Sequence, residues 1–222
     1  MLNYFLSIIP ITYMALFQVV NPIGSGILFL NLTPAASGEL RRKLARKVAF
    51  NSAIVLLVTL LAGLYVLKLF GITVPIVQIC GGALILAMGW RSLNNDDASP
   101  EGGDRKTLLE EKLNPETAYV NQAFYPMTFP FTIGPGSIAI TLTISAESLN
   151  HSGNRYVLFA GAITSIGLMA VTIYVCFSSA DYFLSKVSPQ IRRVVMKLLA
   201  FILLCIGGQI MYNGLHAAGL VR

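Results

Sequence analysis

The placement of charge limits the fold more than any other feature of this chain. Six long stretches contain no Asp, Glu, Lys or Arg: residues 1–38, 48–67, 69–90, 117–146, 156–180 and 198–221. A helix needs about 20 mostly apolar residues to cross the hydrocarbon core of a bilayer, and each stretch is long enough. Backbone groups in lipid must be satisfied internally, so helices are the expected form. A barrel would show short alternating strands between turns, and the sequence has none. The composition agrees. The hydrophobic class makes up 55% of the 222 residues and charged residues only 12%, where soluble domains carry about 25%. The expected fold is therefore an all-α integral membrane protein with six transmembrane segments.

Lys and Arg give the orientation. Lys68, Arg155 and Arg222 lie on one side of the expected membrane, and the other thirteen of the sixteen basic residues on the opposite side. Those thirteen include Arg41, Arg42, Lys43, Arg46, Lys47, Arg91, Arg192, Arg193 and Lys197. Such a bias marks the cytoplasmic loops, so both termini are expected to face outward. The net charge of +6 thus reflects bilayer orientation. The expected partner is the lipid bilayer, and no nucleic acid. The first segment has no basic residue ahead of it and no small-residue cleavage site, so it reads as a retained span. The sequence leaves the oligomeric state open.

The one long polar stretch is residues 94–116, rich in Asp, Glu, Gly and Pro, a linker composition. It divides the chain into a three-helix unit over residues 1–93 and another over 117–222. The halves look related. A shift of 110 places Gly24 on Gly134, Gly26 on Gly136, and Asn31-Leu32-Thr33 on Thr141-Leu142-Thr143. A repeat of three crossings has odd parity, so its second copy is inverted. Inverted repeats with broken helices meeting near the midplane recur in secondary transporters.

The breaks are "NPIGSGILFLNLT" (Asn21 to Thr33) and "TIGPGSIAI" (Thr132 to Ile140). Pro22 and Pro135 each remove a backbone donor, and the glycines allow close backbone approach. Segments 1 and 4 are expected to be broken here, each new half-helix pointing free N–H groups inward. Such groups attract an anion, while the carbonyls ending the preceding half-helix attract a cation. A pair of breaks can hold a zwitterion without a charged side chain. That fits the sequence, because every Asp and Glu falls in a loop or at a segment edge, with Glu147 and Asp181 coming closest. The candidate substrate-binding residues are Asn21, Pro22, Gly24, Ser25, Gly26, Asn31, Thr132, Gly134, Pro135, Gly136, Ser137 and Thr141. The plainer reading makes the Gly-Pro pairs simple kinks and leaves the hydroxyls bonded to their own helices.

Other residues carry less. Cys80, Cys176 and Cys205 give neither a disulfide framework nor a metal spacing and read as small buried hydrophobes. No cofactor motif, catalytic set or metal site is expected; His151 and His216 are isolated. Gly81-Gly82 and Gly207-Gly208 suit close helix packing. Gln78, Gln209 and Asn213 suit bridges between helices or a polar path. Tyr4, Trp90 and Tyr212 suit the interfacial aromatic belt.

With these motifs, six segments and a polar central linker, the sequence resembles the MarC family of bacterial inner-membrane proteins over nearly its whole length. Ile133 stands where many members have Ala before Gly-Pro-Gly. The resemblance implies a transporter of small neutral amino acids such as glycine or alanine, a small-molecule partner that agrees with the zwitterion argument. The competing classes are an intramembrane enzyme, a non-transporting scaffold or sensor, and an exporter of another metabolite or drug. Ser25 and Ser137 lie where a nucleophile would, but no His, Lys or Asp within the segments is placed to activate them. The chain is therefore not expected to be an enzyme.

Overall fold

The structure is a computed structural model that describes residues 2–94, 115–150, 155–185 and 189–221. Most of the expected linker, residues 95–114, and His151 fall outside the described residues. Every regular element among the described residues is helical: α1 (Leu2–Val20), α2 (Pro22–Leu32), α3 (Gly38–Leu69), α4 (Val74–Asn94), α5 (Pro115–Gln122), a wide π-helical segment (Ala123–Thr132), α6 (Pro135–Asn150), α7 (Arg155–Ser185) and α8 (Pro189–Ala217). Five spans are long and apolar enough to cross a membrane, with α1 and α2 counted together from Ser7; α5 to α6 adds a sixth if that bent pair is one span.

The two interruptions differ. At the first, Asn21 alone takes left-handed angles, φ 45° and ψ 62°. Asn21 N–H still donates to the Phe17 carbonyl, and Ser25 N–H to the Asn21 carbonyl, each at 2.9 Å. The helix is nicked without being redirected. The second interruption turns the chain by 69° and is prepared upstream. Pro126 and Pro130 each push the preceding residue out of helical angles, leaving Tyr125 and Phe129 extended. Freed carbonyls are taken from five residues ahead: Thr128 Oγ1 donates to Ala123 and Thr132 Oγ1 to Met127, both at 2.7 Å. The unwinding thus reaches back to Tyr125, nine residues before Gly134.

α3 and α4 join through a short turn at Gly71 (φ 68°) and run antiparallel, so the start of α3 and the end of α4 share one end of the molecule. Arg41, Lys47 and Arg91 gather there. Arg41 also caps α2, its guanidinium donating to the Thr33 carbonyl at 2.7 and 3.1 Å. α5 is tied to the same end, Tyr119 Oη accepting from Ala35 N–H at 3.3 Å and Lys47 Nζ donating to the Val120 carbonyl at 3.3 Å.

α4 and α8 form the tightest seam. A Cβ built on Gly82 would lie 2.5 Å from Met211 N, and one on Gly207 2.5 Å from Leu86 N. Gly89 and Gly214 continue the seam at the same seven-residue spacing. Lipid offers no hydrophobic drive between helices, so contact of this closeness between backbones is what holds such a pair. Of the expected glycine pairs, Gly82 and Gly207 make the seam, Gly81 faces Pro135 and Ala139 of α6, and Gly208 meets little. Cys80 and Cys205 are exposed on the helix surface, contrary to the expected burial, and Cys176 is half-buried. On a membrane-spanning helix an exposed apolar thiol is as well suited to lipid as to a core. Trp90 and Tyr212 are exposed near helix ends.

Candidate functional site

The two breaks meet. Ser25 Oγ donates to the Val20 carbonyl at 2.8 Å and reaches the Phe131 carbonyl of the second break at 3.4 Å. Between them lies a cavity of about 120 Å³. Asn21, Gly24, Ser25, Thr132, Gly134, Pro135, Gly136 and Ser137 line it, together with Ile85 and Met88 of α4 and Leu203 of α8. Eight of the twelve residues singled out in the sequence therefore line one cavity. Four do not. Pro22 is buried as the first residue of α2. Gly26 backs onto α7, its Cβ position 3.6 Å from the Cys176 carbonyl. Asn31 is exposed near the end of α2. Thr141 donates to the Ser137 carbonyl at 2.7 Å.

The half-helix starts are chemically unequal. Asn21 Oδ1 accepts from Gly24 N–H at 3.2 Å and caps α2. The cap requires glycine there, since a Cβ on Gly24 would lie 2.6 Å from Asn21 Nδ2. α2 thus satisfies part of its own N-terminus. α6 has Gly134 at its cap position, with no side chain to offer, and Pro135 next, with no N–H. Gly136 and Ser137, whose N–H groups fall in this first turn, are among the residues lining the cavity. Ser137 Oγ is fully buried and has no hydrogen-bond partner. A buried hydroxyl left unmet costs about 1–3 kcal/mol, a cost that a bound acceptor would remove. Ser52 on α3 has the other such hydroxyl among the described residues, and it lines neither this cavity nor the one described below.

The remaining hydroxyls follow the plainer expectation. Ser25, Thr132 and Thr141 all donate to backbone carbonyls. The proline pair at 126 and 130, Ile85, and the α8 wall of the cavity were not among the residues singled out. The prolines were visible four residues apart in "FYPMTFPFTIGP"; the other two carry no local signal. No group of three or more His, Cys, Asp or Glu that could hold a metal occurs among the described residues.

The pattern of the MarC family integral membrane proteins matches residues 6–218. This chain belongs to the MarC family. Curated members are similar along most of their length. Inner membrane protein MarC of Salmonella paratyphi A is 28% identical over 201 residues, 90% of each chain. The same figures hold for MarC of Salmonella typhimurium. MarC of Escherichia coli O157:H7 is 28% identical over 202 residues, again 90% of each chain. No solved structure matches. Membership agrees with the helical, membrane-spanning fold, and the curated members are named inner membrane proteins.

The packing around the cavity is lopsided. α6 packs along α4, whereas α2 has no matching seam against α8 among the described residues. The cavity occupies that gap, between Gly24 and Leu28 on one side and Leu199, Ala200 and Leu203 on the other. Ser92 and Met88, near the basic end of α4, place it toward that end of the molecule.

Proposed function

We propose that this MarC-family chain is a secondary transporter of a small neutral zwitterion, of the size of glycine or alanine. The carrying observation is the uncapped start of α6, where Gly136 and Ser137, the latter with a buried and unpartnered hydroxyl, are among the residues that line the shared cavity. The solute carboxylate sits on the Gly136 and Ser137 donors, at the positive end of the α6 dipole. The ammonium group faces the carbonyls of Val20 and Phe131, which Ser25 brings together. A cavity of about 120 Å³ favours a small solute, since sites for drug-sized ligands run to about 300–1,000 Å³.

In this reading the chain crosses six times, as two inverted units over residues 1–93 and 117–222 joined by a cytoplasmic linker. The fourth crossing is supported by its two ends: Tyr119 at the basic end, and Glu147 in a cavity shared with Ile8 and Asn213 of the opposite end. The helix starts at Pro22 and Pro135 are 113 residues apart (135 minus 22), three more than the glycine register. Aligning on the prolines pairs the nick at Asn21 with Gly134. Both termini are periplasmic, and the cavity lies on the cytoplasmic side of the midplane.

Flux of labelled glycine and alanine into proteoliposomes tests this. Wild-type protein carries flux, and Gly136→Leu, folded and inserted, carries none. Full flux through Gly136→Leu would sink the reading of the break as a binding site. A protein purified with a fixed partner, carrying no flux and gaining no stability from either amino acid, would favour a scaffold or sensor.

A further inference from the structure

Two spacings relate the helices of one half to those of the other. The buried face of α3, formed by Ala49, Ser52, Leu56, Leu60 and Leu64, recurs on α7 as Ala162, Ser165, Met169, Ile173 and Phe177. All are buried, and each pair is 113 residues apart (165 minus 52), the spacing of Pro22 and Pro135. α4 and α8 correspond at 125 residues (207 minus 82), and at that spacing their seam is reciprocal. A Cβ on Gly82 would lie 2.5 Å from Met211 N, and one on Gly207 2.5 Å from Leu86 N. A Cβ on Gly89 would lie 2.7 Å from Leu204 N, and one on Gly214 2.8 Å from Ile79 N. Each of these contacts has a counterpart with the two helices exchanged.

The packing on the broken helices does not follow the exchange. α4 lies on α6: a Cβ on Gly81 would be 3.1 Å from Cβ of Ala139 and 3.4 Å from the Pro135 carbonyl oxygen. Gln78 Nε2 also donates to Thr143 Oγ1 at 2.7 Å. By the two spacings, the counterpart contacts would put Ile206 of α8 on Gly26 and Pro22 of α2, and Leu203 on Leu30. The first cavity occupies that place, with Leu28 on one side and Leu203 on the other. Gly26 faces the Cys176 carbonyl of α7, and Ile23, the counterpart of Gly136, is exposed. A second cavity, of about 290 Å³, lies beside the α4–α6 contact, with Thr12, Gln78, Thr143, Glu147 and Asn213 in its lining. The apolar cluster of Val19, Ile85 and Ile210 stands between the two. Val19 and Ile85 line the first cavity, and Ile210 lines the second.

We infer that α4 and α8 move as one body between the two broken helices, leaving α6 and settling on α2. Their backbone-close seam holds them together, and packed interfaces switch between discrete arrangements. In the second state Ile206 and Leu203 close the first cavity against α2, and a gap opens between α4 and α6 next to the second cavity. The inference rests on the reading of the chain as two inverted units, in which rocking of one bundle about the shared site exposes that site to each side in turn. The two dockings differ chemically. Gln78 and Thr143 share a hydrogen bond, whereas their counterparts Leu203 and Leu30 have no polar atom to share. That bond is a latch for the docking on α6.

The test cross-links the full chain in membranes, with Cys80, Cys176 and Cys205 replaced by Ala and a protease site inserted within residues 95–114. Gln78→Cys/Thr143→Cys reads the docking on α6, and Leu30→Cys/Leu203→Cys the docking on α2. After treatment with a short bifunctional methanethiosulfonate and then protease, a cross-link keeps the two halves of the chain together. Both pairs should link. Adding Gln78→Leu to the Leu30→Cys/Leu203→Cys protein should speed its linking roughly two- to tenfold, the worth of one hydrogen bond between membrane helices. If that variant does not insert, Thr143→Val should do the same. No link at Leu30→Cys/Leu203→Cys, with or without the latch, overturns the inference, and so does a rate that ignores the latch. Linking needs no solute. A protein that links at both pairs but carries no glycine flux keeps the motion and loses the transporter reading, and flux without the second link does the reverse.

Discussion

Gly136 fits against Ile85: a Cβ built on the glycine would overlap Cδ1 of that isoleucine and lie 2.9 Å from Cγ1 of Val19. The first turn of α6 is therefore pressed onto the apolar cluster of Val19, Ile85 and Ile210, a plug between the cavity at the breaks and the one that Glu147 lines, and only a small residue fits at 136. Gly136→Ala should reduce flux through overpacking, which costs about 1–3 kcal/mol in a filled core. Ile85→Ala removes the obstructing atoms. The double variant Gly136→Ala/Ile85→Ala should recover binding relative to Gly136→Ala alone. The coupling is read from glycine-induced thermal stabilisation of all four proteins, since residues in contact depart from additivity. Strict additivity would mean that Gly136 acts through something other than Ile85.

Ser137 separates stability from binding. Its buried hydroxyl has no partner in the empty protein, so Ser137→Ala should leave the unliganded protein as stable or raise its stability by up to about 1–3 kcal/mol. Affinity for the solute should fall at the same time, because one neutral hydrogen bond is worth about 0.5–1.5 kcal/mol net. That is roughly a two- to thirteenfold loss. Thr141→Val is the control: its hydroxyl is already bound to the Ser137 carbonyl, and its loss should affect affinity less. A Ser137→Ala protein that is less stable and binds normally would show that the hydroxyl is a packing element.

The glycine seam predicts a sharp contrast between neighbours in sequence. Gly207→Ala puts a methyl 2.5 Å from Leu86 N, a backbone atom that cannot swing aside, whereas a Cβ on Gly208 meets nothing closer than Leu86 Cδ1 at 4.0 Å. Thermal unfolding in detergent should show Gly207→Ala strongly destabilised and Gly208→Ala close to wild type. Similar behaviour of the two would mean that α4 and α8 do not approach as described.

The sequence made the membrane class, the segment positions and the basic end legible, because these depend on local composition. It also located both breaks, since Pro and Gly act on the backbone where they stand. It did not reveal that the breaks are unequal. That difference depends on Asn21 reaching Gly24 N–H while Gly134 offers α6 no cap. The extent of the second break was readable from Pro126 and Pro130, whose effect on Tyr125 and Phe129 is local. Ile85 and the α8 wall were beyond reach for another reason. Both come to the site through helix packing far along the chain, and apolar residues in an apolar segment look alike. Glu147 lies at a segment edge in the sequence and in the last turn of α6 in the structure; that it lines a cavity with Gln78 and Asn213 was not legible, because that cavity is assembled from distant helices.

Orientation is tested by reporters. The basic residues at the starts of α3 and α8 and the end of α4 predict that a fusion after Arg222 reports the periplasm and one within 95–114 the cytoplasm. A cytoplasmic C-terminus would remove the odd number of crossings per unit, and with it the inverted arrangement.

The apolar plug between the cavity at the breaks and the one lined by Glu147 makes the last prediction. Val19, Ile85 and Ile210 are all at least nine-tenths buried and stand between two cavities that both carry polar lining. If the cavities are two halves of one path, this cluster is its closed point, and trimming it should open a leak. Ile85→Ala/Ile210→Ala removes the larger side chains from both sides of the plug while leaving every hydrogen-bonding group of both cavities in place. Truncating a buried Ile to Ala costs about 2–5 kcal/mol, so expression and thermal stability are measured first, and Ile85→Val/Ile210→Val gives a milder version. The expected result is faster downhill efflux of labelled glycine from preloaded proteoliposomes. The leak should also lose saturation, because solute passing an open channel does not wait for the protein to change shape. Efflux that stays saturable in a well-folded double variant would place the barrier elsewhere, and the two cavities would then be separate pockets rather than one path.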